Sequence, residues 1–385
     1  MKNYKVALIT NIPSPYRIPL FEKIAEHPSV DLCVYFTAIS EKNREWVVEL
    51  SDKFKYKILP CFTLKYRGKD LFSYHINPSI IQELIKNNYD VVIAGGYSSF
   101  ATQISSLLCK LRNTPFILWS GDTINEPGLL RKISLPLAKF IVKHSNAFVA
   151  YGNRAKEYLI TLAATPEKIF IAYNTVDTDF FIQQSLKYRT QKDELKDKIG
   201  IKNKMVVLYV GQLIERKNVD TLIKACSKLK SELDAALLIV GDGTQKNELK
   251  NLCIKNKIND VFFVGFKQRE ELPRYYAISD LFVLPSTQEV WGLVLNEAMC
   301  CGLPIITTNK VGASVDLITD GVNGYVVESR NTEQLYEAMK KILSDPEVVA
   351  RMGKASKEII EKGFTIDHAV NGFVEAVIYV MKGYK

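Results

Sequence analysis

Short apolar runs rich in Val, Ile, Leu and Phe recur along the chain, and longer segments with apolar residues three or four positions apart separate them. Runs of the first kind predict buried β-strands, and the second spacing predicts amphipathic helices. Their regular alternation is typical of parallel sheets with crossover helices. The predicted strands are residues 5–10, 31–36, 90–94, 116–119, 147–150 and 169–173 in the first half, and residues 206–210, 236–240, 261–264, 281–284, 304–307 and 325–327 in the second.

A polar, charge-dense stretch at residues 183–204 contains no strand pattern and separates the two series of strands. The 385 residues are enough for two domains with separate hydrophobic cores. We therefore predict an α/β protein of two doubly wound, Rossmann-like domains, at residues 1–182 and 183–364. Ligands of such sheets bind beyond the carboxyl ends of the strands, so the two domains are expected to face each other across a cleft.

Charge is unevenly distributed along the chain. There are 51 basic and 42 acidic residues, and division after Thr190 gives 24 basic against 16 acidic residues before it and 27 against 26 after it. Such a field attracts anions to the first half. Nucleic acid is not the expected partner, because no stacking-aromatic motif or recognition helix accompanies the charge. The seven cysteines show no Cys-x-x-Cys spacing, which indicates reduced thiols in a cytosolic protein.

One basic segment has two interpretations. Arg131, Lys132, Lys139 and Lys143 alternate with apolar residues around Pro136. A helix of this pattern can lie on an anionic membrane surface. It can equally pack its apolar face on a protein core and expose a solvated basic face. The sequence leaves both interpretations open.

Several features of the second half directly follow predicted strands, where a ligand site is expected. Arg216 and Lys217 stand one loop beyond a strand that runs into Gly211, and two adjacent cations at such a place can neutralise a diphosphate. Two further strands run into glycine turns, at Gly241 and at Gly265-Phe266, where a ligand can approach the backbone closely.

Two carboxylates and a helix start complete this group. Glu289 and Glu297 stand eight positions apart, with Gly292 between them. If a helix begins near Gly292, its amide groups and dipole point towards a phosphate lying over that turn. Glu289 can then accept hydrogen bonds from hydroxyls, and Glu297, about one turn into the helix, from a second pair. Together with the two cations and the glycine turns, they favour a nucleotide-sugar pocket over a pair of ordinary surface acids.

These residues resemble those of the retaining glycosyltransferases of family 4, the group 1 glycosyl transferases, which have the two-Rossmann GT-B fold. The similarity covers residues 211–328. The resemblance implies a final helix, at residues 365–385, that crosses back to the first domain. The matching motifs are Glu-x7-Glu at Glu289 and Glu297, the cation pair at Arg216 and Lys217, and the Val-Gly-Asp-Gly turn at 240–243.

The resemblance also implies a role for each of these residues in binding a nucleoside diphosphate sugar. It assigns the hydroxyls of the donor sugar to Glu289, the ribose to Glu297, the diphosphate to Arg216 and Lys217, and the distal phosphate to the amides near Gly292 and Leu293.

The first half departs from the family pattern at two places. Residues 12–17 replace the Gly-Gly loop that many relatives carry after the first strand. Gly121 stands where many relatives carry a histidine that faces the donor sugar, so that role is not carried over. Asp122 is the nearest polar residue and becomes a candidate active-site residue. Arg17 is a candidate contact for the acceptor or the diphosphate.

The expected function is transfer of a sugar from a UDP- or GDP-linked donor to an acceptor hydroxyl without a metal. The resemblance implies retention at the anomeric carbon. The candidate catalytic residues are Glu289, Lys217, Arg216 and Asp122. The expected acceptor is a glycan or lipid-linked glycan of bacterial surface polysaccharide, reached from the cytoplasm at the inner face of the plasma membrane. Two alternatives remain: a sugar-nucleotide epimerase of GT-B fold, and a non-catalytic nucleotide-sugar-binding protein.

Overall fold

The computed structural model describes residues 2–41, 48–67, 71–124 and 129–383. The chain divides into two compact units. The first unit contains Met1–Asn174 together with Ile366–Lys385, and the second contains Thr175–Thr365. Each unit is built around a parallel β-sheet of its own.

The first unit has nine strands: β1 (Tyr4–Thr10), β2 (Val30–Phe36), β3 (Lys55–Ile58), β4 (Phe62–Arg67), β5 (Leu71–Ile76), β6 (Val91–Gly95), β7 (Phe116–Ser120), β8 (Ala147–Ala150) and β9 (Ile169–Ile171), within the described residues. Seven form a parallel sheet in the order β3-β2-β1-β6-β7-β8-β9, and β4 pairs with β5 in an antiparallel hairpin. The six strands predicted for this half are all present. The apolar pattern does not predict β3, because this edge strand is mostly exposed and has no buried apolar run.

Helices cover both faces of the first sheet. They include α1 (Ile18–Glu26), α2 (Ser79–Asn87), α3 (Phe100–Arg112), α4 (Leu129–His144) and α5 (Asn153–Thr161). Alternate residues of β1 enter two different cores: Val6 and Leu8 join one, whereas Ala7 and Ile9 join the other. The sheet is therefore buried on both faces, which explains why its central strands are continuous apolar runs.

The second unit contains β10 (Met205–Val210), β11 (Ala235–Val240), β12 (Val261–Gly265), β13 (Leu281–Leu284), β14 (Ile305–Thr308) and β15 (Gly324–Val327). They form a parallel sheet in the order β12-β11-β10-β13-β14-β15, and all six were expected from the apolar pattern. The helices are α6 (Thr178–Arg189), α7 (Lys192–Ile199), α8 (Val219–Leu229), α9 (Lys246–Lys255), α10 (Leu272–Ala277), α11 (Leu293–Cys300), α12 (Ser314–Leu317), α13 (Thr332–Leu343) and α14 (Pro346–Gly363).

The boundary between the units lies after Asn174, a few residues before the predicted boundary at residue 183. The reason is that α6 packs in the second unit. Phe181 places its ring 6.2 Å from the ring of Tyr276. Arg189 Nη2 donates a 2.5 Å hydrogen bond to the carbonyl of Cys301. The sequence did not predict these contacts, because α6 and α7 are mostly polar and have no continuous apolar run.

The final helix, α15 (Ile366–Gly383), belongs to the first unit. Phe373 and Val377 lie in the same core as Val6 of β1. Gly372 is required at the contact with β9, because a Cβ there would lie 2.4 Å from the carbonyl oxygen of Ile171. The last segment of the chain therefore completes the core of the first unit.

Phe373→Ala should destabilise the first unit. Phe373 is 1% exposed, and its ring lies 5.1 Å from that of Trp119. Loss of a buried Phe side chain should lower the free energy of unfolding by about 3–5 kcal/mol, measured by urea denaturation followed by tryptophan fluorescence. Glu375→Ala, on the exposed side of the same helix, should change it by less than about 0.5 kcal/mol. Equal effects of the two substitutions would show that α15 does not support this core.

Candidate active site

The candidate site lies at the carboxyl edge of the second sheet. Three neighbouring strands, β10, β13 and β14, end at this edge. The loops that follow them are residues 211–218, 285–292 and 309–313. Because neighbouring parallel strands end together, these loops meet although they are far apart in sequence.

Arg216 and Lys217 from the first loop contact Glu289 from the second. Lys217 Nζ forms an ion pair with Glu289 Oε2, and Arg216 Nη1 lies 3.4 Å from the same oxygen. The side chain of Lys217 is 10% exposed and that of Glu289 is 16% exposed, whereas that of Arg216 is 37% exposed. Two cations and one carboxylate therefore form a single cluster of net positive charge, with Arg216 on its solvent side.

Backbone hydrogen bonds hold the three loops together around Glu289. The amide of Thr287 donates to the carbonyl of Arg216 (2.8 Å), and the amide of Glu289 donates to that of Lys310 (3.2 Å). The amide of Gly312 donates to the carbonyl of Glu289 (2.9 Å). A side chain cannot stand at Gly312, because a Cβ there would lie 1.8 Å from the carbonyl oxygen of Val290. Gly312 therefore permits the close approach that fixes Glu289.

The electrostatic surroundings keep Glu289 ionised. Burial by itself raises the pKa of this carboxyl group, but the charges of Lys217 and Arg216 and their hydrogen bonds outweigh burial. The pKa of Glu289 therefore lies below its ordinary value. A carboxylate that remains ionised can accept hydrogen bonds from hydroxyl groups.

The predicted glycine turns lie side by side at the same edge. The amide of Gly211 donates to the carbonyl of Val240 (3.0 Å), and the amide of Gly241 donates to that of Gly265 (2.9 Å). At Gly241 the backbone has φ +147°, and a Cβ would lie 1.9 Å from the carbonyl oxygen of Gly211. The three strand ends therefore form a row in which Gly211 and Gly265 are partly exposed and Gly241 is buried, and Phe266, 40% exposed, follows it.

Helix α11 begins at Leu293, as predicted, and Gly292 is its N-terminal cap. Gly292 adopts φ +98°, which favours glycine, and a Cβ at this position would lie 3.0 Å from Leu284 Cδ2. The turn places the first amides of α11 directly after the segment that carries Glu289. These amides are the groups expected to meet a phosphate.

Glu297 occupies a different position from the one expected. It is fully buried, and its Oε2 accepts a 2.5 Å hydrogen bond from the hydroxyl of Tyr276. The side chain of Glu297 therefore contacts α10 inside the second unit and does not stand open beside Glu289. The sequence did not single out Tyr276. The role of Glu297 towards a ribose remains a prediction.

Two candidates of the first unit also lie at strand ends. Arg17 contacts Thr10 and Tyr151, and Asp122 contacts the hydroxyl of Ser120 at 3.3 Å. The sequence analysis did not include Tyr151. Its position directly after the predicted strand 147–150 is the signal that would have identified it. Asp177 is the N-terminal cap of α6, and its side chain accepts a hydrogen bond from the amide of Phe180.

The basic helix α4 packs on the core and also exposes a basic face. Ile141 and Val142 are buried, whereas Lys139, Phe140 and Lys143 are exposed. The side chains of Arg131 and Lys132 lie outside the described residues. Across the described ranges, every helix is too short or too polar to cross a membrane. Within the same ranges, no group of three or more His, Cys, Asp or Glu side chains could hold a metal ion.

Comparison with known families identifies the second half of the chain. Residues 191–359 match the family model described as "Glycosyl transferases group 1". This segment belongs to that family, which confirms the predicted resemblance to the group 1 glycosyl transferases.

One curated relative is the N-acetyl-alpha-D-glucosaminyl L-malate synthase of Bacillus anthracis, 29% identical over 248 residues. The match covers 63% of this chain and 62% of that protein, so it spans less than two thirds of the relative's length.

Two solved structures resemble almost the whole chain. Anabaena Alr3699/HepE in complex with UDP has a TM-score of 0.76 at 18% identity and covers 97% of this chain and 100% of that chain. The sucrose-phosphate synthase from Thermosynechococcus elongatus has a TM-score of 0.78 at 18% identity and covers 99% and 100%. At this identity the similarity shows the fold, which is the predicted GT-B fold.

Lys217→Met should destabilise the second unit by leaving Glu289 with a single cationic partner. Breaking a buried ion pair costs about 3–5 kcal/mol, and we expect about 3 kcal/mol here because Arg216 remains. The double variant Lys217→Met/Glu289→Gln should recover most of this loss, because no buried charge is left unpaired and the remaining cation, Arg216, is 37% exposed to solvent. The measurement is the free energy of unfolding at neutral pH.

The same series has a defined pH dependence. The pKa of Glu289 is lowered in the folded protein, so its contribution to stability is present above the ordinary pKa of 4.5 and is lost as the pH falls through the lowered folded-state pKa. Variants that lack the carboxylate should lose this component of acid sensitivity. If the single and double variants are equally unstable at every pH, the ion pair is not what holds these loops.

Proposed function

We propose that this protein transfers a sugar from a nucleoside diphosphate sugar to an acceptor hydroxyl, with retention at the anomeric carbon. The observation that carries the proposal is the cluster of Arg216, Lys217 and Glu289 at the sheet edge of the unit that contains the group 1 segment. UDP in the Anabaena structure of the same fold supports a nucleotide-linked donor.

Each group in the cluster has a task in this reaction. The departing diphosphate gains negative charge, and Lys217, Arg216 and the first amides of α11 are cationic or dipolar groups already placed at the strand ends. Glu289 stays ionised beside them and can accept hydrogen bonds from the hydroxyls of the sugar. A diphosphate that binds here shares the two cations with Glu289. The cluster therefore joins the sugar contact to the leaving-group contact.

The acceptor is assigned to the first unit, whose half of the chain carries most of the excess positive charge. We propose a lipid-linked glycan of surface polysaccharide, reached at an anionic membrane through the exposed face of α4. On this face the basic side chains of Lys139 and Lys143 and the apolar side chains of Leu137 and Phe140 are exposed. Basic and apolar residues side by side are the features that bind an anionic interface. The protein is then peripheral to the cytoplasmic face.

Glu289→Ala should abolish most of the transferase activity. Incubation with a panel of UDP- and GDP-linked sugars, with and without lipid-linked acceptors, identifies the donor by release of the nucleoside diphosphate. With that donor, Glu289→Ala should lower kcat by about 100-fold, the scale expected for loss of a preorganised polar contact to the reacting group. Glu328→Ala, an exposed acid of the same unit, is the matched control and should keep wild-type turnover.

The same assay separates the alternatives. Conversion of a donor into its epimer without net release of the diphosphate would indicate an epimerase. Tight binding of a donor without any product would indicate a non-catalytic binding protein. Near-normal turnover of Glu289→Ala with the true donor would refute the assignment of the active site.

Lys139→Glu/Lys143→Glu should weaken binding to vesicles that contain anionic lipid. Each basic residue near such a surface contributes about 1 kcal/mol, so the double charge reversal should lower the partition coefficient by more than about 10-fold at low salt. Flotation with vesicles of phosphatidylglycerol and phosphatidylcholine measures it. Lys86→Glu on α2 reverses one exposed charge elsewhere and should have a much smaller effect. Salt-insensitive binding, equal in all variants, would contradict membrane contact through α4.

A further inference from the structure

Arg17 lies at the carboxyl edge of the first sheet, in contact with three strand ends. Its Nη1 donates a 2.6 Å hydrogen bond to Thr10 Oγ1, at the end of β1, and its Nη2 donates a 2.5 Å hydrogen bond to the hydroxyl of Tyr151, directly after β8. The guanidinium stacks 4.5 Å from the ring centre of Trp119 in β7. These contacts fix the arginine in one orientation at the place where open α/β sheets bind ligands.

The hydrogen-bond partners of Arg17 are neutral. In the part of the chain that the structure describes, no carboxylate lies within 4.0 Å of its guanidinium nitrogens. A guanidinium has five donors in a planar fork, and two hydroxyls use only some of them. Arg17 therefore keeps both charge and donors for another group. This contrasts with Arg216, whose charge is shared with Glu289.

Gly121 is what allows Tyr151 to reach Arg17. A Cβ at Gly121 would lie 2.3 Å from Tyr151 Cδ2 and 2.6 Å from Tyr151 Cε2, so the aromatic ring occupies the space of the missing side chain. The ring also lies 5.4 Å from that of Trp119. Gly121, Tyr151 and Arg17 therefore depend on one another. The absence of a side chain at Gly121 makes room for the ring of Tyr151, whose hydroxyl holds Arg17.

The strand end between β1 and β7 has open space beside it. Strand β6 lies between β1 and β7 and ends at Gly95, and Gly96 follows with φ +69°. Among the described atoms, nothing lies within 4 Å of a Cβ placed at Gly96. The amide of Gly96 is held by the carbonyl of Trp119 at 2.8 Å. Small residues in a fixed backbone thus leave room at the strand ends for a bound group.

We infer that Arg17, braced by Tyr151, binds an oxyanion carried by the acceptor, a phosphate or a carboxylate. A planar guanidinium with donors to spare matches both groups, and stacking on Trp119 keeps its fork preorganised. The acceptor as the carrier of this anion rests on the proposed transferase function, whereas the anion site itself does not. Tyr151 is a positioning residue and acts through Arg17.

The ionisation of the neighbouring groups agrees with this role. Burial raises the pKa of Tyr151, the charge of Arg17 opposes this effect, and that of Asp122 adds to it. The hydroxyl therefore stays protonated at neutral pH, and while it accepts from Arg17 its own proton can be donated to a bound oxygen. Asp122 is an acidic group near Tyr151. Its negative charge repels an anion, so a bound anion is expected to lie on the side of Arg17.

The first experiment measures binding of inorganic phosphate by the broadening of its ³¹P resonance. The full-length Arg216→Gln/Lys217→Gln/Glu289→Gln variant serves as background, so that the cations of the second unit do not contribute and no buried acid is left without its partners. In this background Arg17→Gln should weaken phosphate binding by about 10-fold or more, as expected for loss of a charge-assisted hydrogen bond. Tyr151→Phe keeps the ring against Gly121 but removes the brace, and should weaken it by about 3-fold.

The matched control is Lys23→Gln, which removes one exposed positive charge from α1 and should leave phosphate binding unchanged. Acetate, as competitor at constant ionic strength, tests the carboxylate source. Displacement of phosphate by acetate indicates a site for either anion, and no displacement indicates a phosphate site. Equal phosphate binding in Arg17→Gln and its parent, or equal weakening in Lys23→Gln, overturns the inference.

The second experiment tests the acceptor with the otherwise wild-type enzyme. Arg17→Gln should raise the KM for the acceptor by about 10-fold or more while the KM for the donor stays the same, and Tyr151→Phe should shift the acceptor KM in the same direction. An unchanged acceptor KM overturns the assignment to the acceptor. If the wild-type protein turns over no donor, the transferase proposal fails, and the phosphate titration still decides whether Arg17 is an anion site.

Discussion

The ion pair between Lys217 and Glu289 is the contact on which the candidate site depends. It joins the loop after β10 to the loop after β13, and the amide of Gly312 ties the loop after β13 to the loop after β14. Both side chains are mostly buried, so neither charge is stable there without the other. The pair therefore holds the loops together and also keeps a carboxylate ionised beside two cations.

The cations at the two sheet edges have different partners. In the second unit, Arg216 and Lys217 are offset by an acid, and the cluster has only a modest net charge. In the first unit, Arg17 is held by two neutral hydroxyls and an aromatic ring. A cation offset by an acid exchanges partners when a ligand arrives, whereas a cation braced by hydroxyls is already free to meet an anion. This difference fits a donor site and an acceptor site with separate tasks.

Glycine positions were among the sequence signals that correctly indicated the candidate site. Gly241 and Gly312 each face a backbone carbonyl so closely that no side chain fits, and Gly292 turns the chain into α11. A glycine directly after an apolar run was therefore a sound signal of a strand end packed against another loop. Gly121 has a different reason. It faces the ring of Tyr151, a partner thirty positions away that no local pattern identifies.

The sequence by itself determined every strand of the two sheets except β3, the helix start at Leu293 and the cations and acid of the candidate site, because buried runs and strand-end glycines are local signals. Only the tertiary structure decided that α6 belongs to the second unit, that Glu297 is buried against Tyr276, and that Tyr151 braces Arg17. The physical reason is the same in each case. These contacts join side chains from different elements, and packing between elements selects the partner of a buried polar group.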